Sequence, residues 1–588
     1  MSYFRSACVE VLLIAFALVA IAPVAIAQTD TDPFSGQPAA GAAGMRSPDI
    51  PSGENVQGPS AANGRITFRS QTRVVEVPAV VTDKSGHVLH GLTKDDFRIY
   101  EDGKKRNIAS FDEVTARAGG PTAQPAPAGQ FSNISERIRE PQSVIIIILD
   151  SINTPFLDQA YARRQVLNFL ARKTSPHQTL GLVAIGANGV QVLCPLGTDP
   201  ATLAAALQKA SGQISPMEPY GTEGKMIAAA DPNANELWAT GSGRDQDPSE
   251  KMANWIAAAD AVEGRNQQAR SIEATLKAFL SLAWSLSGVP GRKSLVWLTG
   301  SFPFPLESES SLPGMWADLY EKTMQALNNA QVSIYPVDAR GLMGTSGFAG
   351  NETLRVAVME TAPPGDHLND SIQSSMRLFA DMTGGRAFYN NNDLAGAIAS
   401  AGEDSASYYL LSYYVDTSNT SSGWRKLRVE VKHPDVVVRA RSGFLETGLT
   451  ADPELTHKAD VQLALGLPFD TTAIPVTARW LGITEQGGKT KIGFSLNMPE
   501  SSLVDESQKN LFDMDLIVQL SKDGVPSTVA QKTLKGEIPA QALPEIKFEG
   551  IIYNNFITVP RGKYDVRFLV RDNLTGKIGT VSTPLTVN

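Results

Sequence analysis

The run Ser143-Val144-Ile145-Ile146-Ile147-Ile148-Leu149-Asp150 constrains this chain more than any other stretch. Six consecutive aliphatic residues are too few to cross a bilayer. They also lack the alternation of a strand with one wet face. Such a run suits a central strand of a parallel sheet, covered on both sides. The residues that follow alternate between strand and helix patterns. Helices are expected over 158–173, with Val166, Phe169 and Leu170 on one face, and over 271–286, 316–330 and 393–401. Another is expected to end at Gly384-Gly385. Strands are expected over 180–185, 190–193, 295–298, 332–337 and 387–389. Repeated strand–helix units with short connections imply a doubly wound α/β domain. It spans 143–446, with insertions near 212–264 and 341–370.

The flanks follow a different grammar. From 66 to 113 the period is two, as in Val75, Val77, Ala79 and Val81, with turns at Asp83-Lys84-Ser85-Gly86 and Glu101-Asp102-Gly103. This predicts a small β-sandwich domain. Residues 114–142 are Gly/Pro/Ala-rich and read as a linker. Extended segments 407–416, 426–431 and 436–441 close the α/β domain. Residues 447–588 return to strand alternation, with candidates at 461–465, 476–481, 492–496, 516–520 and 566–570. They predict an Ig-like β-sandwich domain. The architecture expected is multidomain: a central doubly wound, Rossmann-like α/β domain between N-terminal and C-terminal β-sandwiches.

At the N-terminus, Arg5, the apolar run Val11-Leu-Leu-Ile-Ala-Phe-Ala-Leu-Val19 and Ala25-Ile26-Ala27 read as a signal peptide over 1–27, cut before Gln28. The expected location is secreted or periplasmic. No second apolar run reaches a spanning length, so no membrane span is expected after cleavage. Residues 28–65 are rich in Gly, Ala, Pro, Ser and Asp and read as a disordered linker. Lys plus Arg number 52 against 61 Asp plus Glu, a net charge of −9. That balance argues against a nucleic-acid partner, whose recognition leans on neutralising phosphates. Two cysteines, Cys8 and Cys194, exclude a disulfide framework and a cysteine-rich metal site. Cys194 reads as a small buried residue.

In an open α/β sheet, ligands meet the carboxyl ends of the strands. Asp150 ends the first strand, Thr299 and Ser301 follow the strand 295–298, and Asp338 follows 332–337. A carboxylate with hydroxyls suits Mg2+ or another hard divalent cation. The apolar strand ending in Asp150 resembles the start of a von Willebrand factor type A (VWFA) domain, which carries an Asp-x-Ser-x-Ser metal motif there. The chain is similar over nearly its whole mature length to a secreted bacterial subfamily, the acidobacterial VWFA-related proteins. That likeness rests on Val80-Val81-Thr82-Asp83, Gly91-Leu92-Thr93-Lys94-Asp95-Asp96-Phe97, Tyr100-Glu101-Asp102-Gly103, Asn153-Thr154-Pro155, Gly288-Val-Pro-Gly-Arg-Lys293, Leu295-Val-Trp-Leu298, Thr383-Gly384-Gly385, Tyr408-Tyr409-Leu410 and Tyr413-Tyr414.

The resemblance implies a metal site at Asp150, Thr154 and Ser301, with a rim of Ser151, Asn153, Thr299 and Asp338. Here the motif is degenerate. Ile152 replaces the first Ser, Thr154 stands at the last position, and no Asp lies near Thr299-Gly300-Ser301. Thr275 is a candidate for the separate loop threonine. The expected cation affinity is therefore weak, and Asp150 has an alternative role in capping its own turn. No His-Glu-x-x-His or Gly-x-Ser-x-Gly motif occurs. His87 and His90 read as solvated turn residues, 482–490 as a hairpin turn and 245–250 as an acidic loop. The expected activity is non-enzymatic binding or adhesion to a protein or cell-surface ligand. The alternatives are a metal-free structural envelope component and a secreted hydrolase.

Overall fold

A computed structural model describes residues 72–116, 129–134, 143–172, 178–186, 189–210, 248–304, 306, 314–342, 366–416, 423–446, 453–486, 489–499, 511–539 and 541–587. The expected signal peptide and the linker 28–65 lie outside them.

Five strands form the central sheet: β1 (Ser143–Asp150), β2 (Gln178–Gly186), β3 (Gly189–Cys194), β4 (Lys293–Thr299) and β5 (Val332–Asp338). Their spatial order is β5-β4-β1-β2-β3. The four strands from β5 to β2 run parallel, and β3 returns antiparallel at the edge. Every β1 residue is buried. Val144, Ile146 and Ile148 enter one core, and Ile145, Ile147 and Leu149 enter the other. Alternating side chains point to opposite faces, so an unbroken aliphatic run serves both.

Helices cover each face. On one lie α1 (Phe156–Ala171), α2 (Pro200–Lys209) and α6 (Leu394–Ala406), through residues such as Val166, Leu203 and Ile398. On the other lie α3 (Pro248–Leu286), α4 (Ala317–Asn329) and α5 (Asp366–Thr383), through Leu276, Met324 and Phe379. Two helices extend into the expected insertions. α3 begins at Pro248 and α5 at Asp366, well before their amphipathic cores. At 39 residues, α3 rises about 58 Å, against about 26 Å for the eight-residue β1. The expected strand 387–389 is a single parallel bridge, Val337 to Phe388.

The β regions depart from the expected boundaries. Strand Thr72–Asp83 pairs with Ser407–Asp416, which pairs in turn with Ser110–Thr115. Strand Phe97–Glu101 pairs with Gly423–Val431. Segments on either side of the central domain therefore interleave in two sheets around one core containing Val77, Ile99, Tyr409 and Tyr413. Of the expected linker 114–142, Gln130–Ser132 is a strand paired with residues 477–479. With the strands beyond 447 it completes two four-stranded antiparallel sheets that enclose a core with Phe494, Val518 and Phe568. The expected strand 461–465 is instead part of a helix, Pro453–Gly466, whose Val461, Ala464 and Leu465 pack in one apolar cluster with Trp284 of α3.

Candidate functional site

The carboxyl ends of β1, β4 and β5 lie side by side. Leu149 registers with Leu298, and Thr299 with Asp338. These tips form one shared end of the sheet. Asp150, Asn153, Thr154, Thr299, Ser301 and Asp338 are all buried there, and Ser151 is half-buried.

The loop after β1 turns back on Asp150. Its Oδ1 accepts the backbone N–H groups of Ile152 and Asn153, each at 3.0 Å. Its Oδ2 receives Asn153 Nδ2 at 2.7 Å and Trp297 Nε1 at 2.9 Å, with Thr299 Oγ1 at 3.0 Å. The Thr299 hydroxyl also lies 2.7 Å from the Ser301 carbonyl oxygen, so it shares one proton between two acceptors. Burial pushes the Asp150 carboxyl above its ordinary range, against these donors, which pull it down.

Asn153 ties this cluster to α3. Its Nδ2 donates to Thr275 Oγ1 at 3.1 Å, and its Oδ1 accepts from Ser271 Oγ. The Thr154 hydroxyl accepts the Gly300 N–H at 2.9 Å. Gly300 fits because a Cβ there would lie 2.9 Å from Pro155 Cδ and 3.2 Å from Thr154 Cα. Asp338 is held apart from this cluster by Arg340. The guanidinium meets both carboxylate oxygens, at 2.9 and 2.8 Å, and the Arg340 backbone N–H adds 3.0 Å to Oδ1.

A divalent cation does not fit this donor set. Both Asp150 oxygens face N–H groups whose hydrogens carry positive partial charge. Ile152 enters the apolar core instead of offering a hydroxyl. Thr154 offers its oxygen to a backbone N–H, and Asp338 is neutralised by Arg340. Among the described residues, no group of three or more His, Cys, Asp or Glu is arranged to hold a metal ion.

Two of these partners escaped the sequence reading. Trp297 looked like a core residue within an apolar strand. The signal available was its indole N–H, which needs an acceptor when buried. Ser271 lies at an expected helix start, and nothing local tied it to Asn153. Thr275, the proposed loop threonine, does reach the cluster, through Asn153. The two turn histidines do have acidic neighbours. His90 Nδ1 lies 2.8 Å from Glu113 and His87 Nδ1 3.3 Å from Asp83, two separate exposed pairs. Cys194 is buried in the central domain, and burial pushes its thiol up. Of the expected hairpin turn 482–490, residues 482–486 and 489–490 belong to two paired antiparallel strands, and 487–488 lies outside the described residues. Of the expected acidic loop 245–250, residues 248–250 instead open α3, and 245–247 lies outside the described residues.

Two exposed leucines lie near these strand tips. Leu157, in the first turn of α1, is 77% exposed, and Leu342, four residues beyond β5, is 62% exposed. Tyr161, one turn after Leu157, donates its hydroxyl to the Asn392 carbonyl at 2.9 Å. The Leu342 N–H donates to Asn392 Oδ1, also at 2.9 Å. The two leucines therefore flank one structured ledge.

The opposite end of the sheet is occupied by the β regions. The Arg292 N–H donates to Tyr408 at 3.1 Å, Ser442 to the Asp381 carbonyl at 2.9 Å, and Thr472 to the Trp284 carbonyl at 3.1 Å. Lys322 pairs with Asp460 and lies over the Trp284 ring, 5.3 Å from its centre. Among the described residues, no helix is long and apolar enough to cross a membrane.

No family model matches the chain, and no curated protein matches it. Among solved structures it is similar to the crystal structure of the SpRpn10 VWA domain, at 15% identity over 33% of this chain and 74% of that one, with a TM-score of 0.15.

Proposed function

We propose that this chain is an exported, non-enzymatic binding protein of adhesive type, in which a VWFA-like central domain docks a protein or cell-surface ligand at its strand-tip end. The carrying observation is the asymmetry of the central sheet. One end is taken up by polar and apolar contacts to the β regions, while the other carries the Leu157–Leu342 ledge. The β regions, each two sheets around a core, serve as β-sandwich spacers, the C-terminal one Ig-like. This reading takes secretion from the N-terminal signal pattern and kinship with the acidobacterial VWFA-related proteins from the quoted motifs. At the strand tips Asp150 is engaged by a tryptophan, a threonine and an asparagine, with no nucleophile–base pair in the described contacts, a pattern that favours binding over hydrolysis.

The test is affinity capture from an envelope extract with the 28–588 chain as bait. Capture is expected to be lost in a Leu157→Asp/Leu342→Asp variant that melts like the parent, and retained when exposed Val525 of the C-terminal region is changed to Asp. Loss in the Val525 variant alone would move the docking surface to that region. A metal-free structural envelope component is the second reading, favoured by the saturation of Asp150. It predicts co-fractionation with the envelope that the ledge variant leaves unchanged. Turnover in a panel of ester, peptide and phosphate substrates would instead support a hydrolase.

A further inference from the structure

We propose that Asp150 is a closed hydrogen-bond hub standing where an ion-dependent face would hold its cation, so that the strand-tip face works without a divalent ion. This deepens the docking role assigned to that end and rests on it only in its last clause. A carboxylate offers about four lone-pair positions. Here five donors converge on it: the Ile152 and Asn153 amides, Asn153 Nδ2, Trp297 Nε1 and Thr299 Oγ1. A cation must approach a carboxylate oxygen to about 2.0–2.6 Å. At Oδ2 that space lies among an indole, an amide and a hydroxyl.

The Trp297 and Asn153 side-chain donors are not free to turn away, whereas the Thr299 hydroxyl divides its proton between Asp150 and the Ser301 carbonyl. Indole nitrogen is a donor only, and Trp297 is fully buried with Phe279 packed edge-on at 5.1 Å and Phe302 at 5.4 Å. The Asn153 amide is oriented from both ends, because Ser271 donates to its oxygen while its nitrogen meets both Asp150 and Thr275. Flipping it would set oxygen against carboxylate. The hub also joins three elements: the β1–α1 loop, β4 through Trp297 and Thr299, and α3 through Asn153. Beyond Ser271, the α3 turns from Pro248 to Arg270 continue past the strand tips, and Gln268 Nε2 reaches the Pro303 carbonyl at 3.4 Å. Thus the loop and α3 are coupled by direct hydrogen bonds, with no ion needed to link them.

The experiment is thermal melting of the 28–588 chain, without partner, in Mg2+, Mn2+ or EDTA. A cation present at 100 times its dissociation constant raises the folding constant about 100-fold. The proposal expects the same melting temperature in all three up to millimolar cation. It also expects Asp150→Asn, which turns one acceptor into a donor facing donors, to melt several degrees lower with and without cation. Should that variant not fold, Trp297→Phe removes one donor while keeping most of the packing, and a smaller, cation-independent fall is expected. A rise of the wild-type melting temperature in Mn2+ that EDTA reverses would overturn the proposal. So would an Asp150→Asn protein as stable as the parent. Because no partner is present, failure here leaves the docking role standing, and failure to capture a partner leaves the hub standing.

Discussion

Lys293 opens β4 with its side chain buried, and its ammonium donates to the Val289 carbonyl at 2.8 Å. Burial pulls its pKa down to about 7, with Glu76 pulling weakly the other way. The folded state therefore releases this proton well before the unfolded chain does. Stability then rises with pH from about 7 toward the ordinary lysine value, by about 1.4 kcal/mol per pH unit at full effect. Below about 7 both states are protonated and the burial penalty is complete. Lys293→Met is expected to melt higher at pH 7 and to lose that part of the slope between pH 7 and 10. Parallel melting curves for the two proteins across that range would contradict it. At this scale, Asp150 was legible because an aliphatic run ends in an acid only where a buried strand meets its loop. Its partners were not, since Trp297 and Ser271 reach it across space from other elements.

Among the elements, β1 was the most legible, because its aliphatic run has only one satisfactory placement. The helix Pro453–Gly466 was not, because Val461-Gln462-Leu463-Ala464-Leu465 alternates as a strand would. It folds as a helix because Trp284, Ile517, Leu569 and Ile578 offer it an apolar seat, a tertiary effect that overrides local pattern. The strand Gln130–Ser132 was hidden by its Gly/Pro-rich surroundings and is defined by its partner alone. Close approach between elements sets a sharper limit. A Cβ on Gly385 would sit 1.9 Å from the Ile334 carbonyl oxygen, and one on Gly288 would sit 2.0 Å from that of Thr472. Backbone cannot yield there as a side-chain tip can. Gly385→Ala is expected to cost about 3 kcal/mol by overpacking. Gly466→Ala, which meets nothing within 4 Å, is expected to be neutral or slightly stabilising. Equilibrium denaturation of the two variants checks the contrast, and equal stabilities would refute it.

In the whole molecule, the order of β, α/β and β regions was readable from the shift between two-residue and helical periods. The interleaving was not. Strands Thr72–Asp83 and Ser110–Thr115 flank Ser407–Asp416 from across the central domain, and antiparallel partners so distant in sequence leave no local signature. Loop closure over that span must precede any reward from pairing, which predicts slow folding. Removing residues 1–128 would strip both neighbours from a strand whose Tyr409, Leu411 and Tyr413 are buried. A chain starting at Gly129 is expected to aggregate or to lose several degrees of melting temperature. Scanning calorimetry showing an unchanged transition would contradict the interleaved account. The same arrangement anchors the base of the central sheet to both β regions, opposite the hydrogen-bonded strand tips. The most direct test of that sealed end is hydrogen–deuterium exchange of the backbone amides of Ile152, Asn153 and Gly300, each donated to a buried acceptor. The account predicts that all three exchange as slowly as β1 itself, equally in EDTA and in Mg2+. Rapid exchange in EDTA that slows on adding Mg2+ would show a loop ordered by a cation and would contradict it.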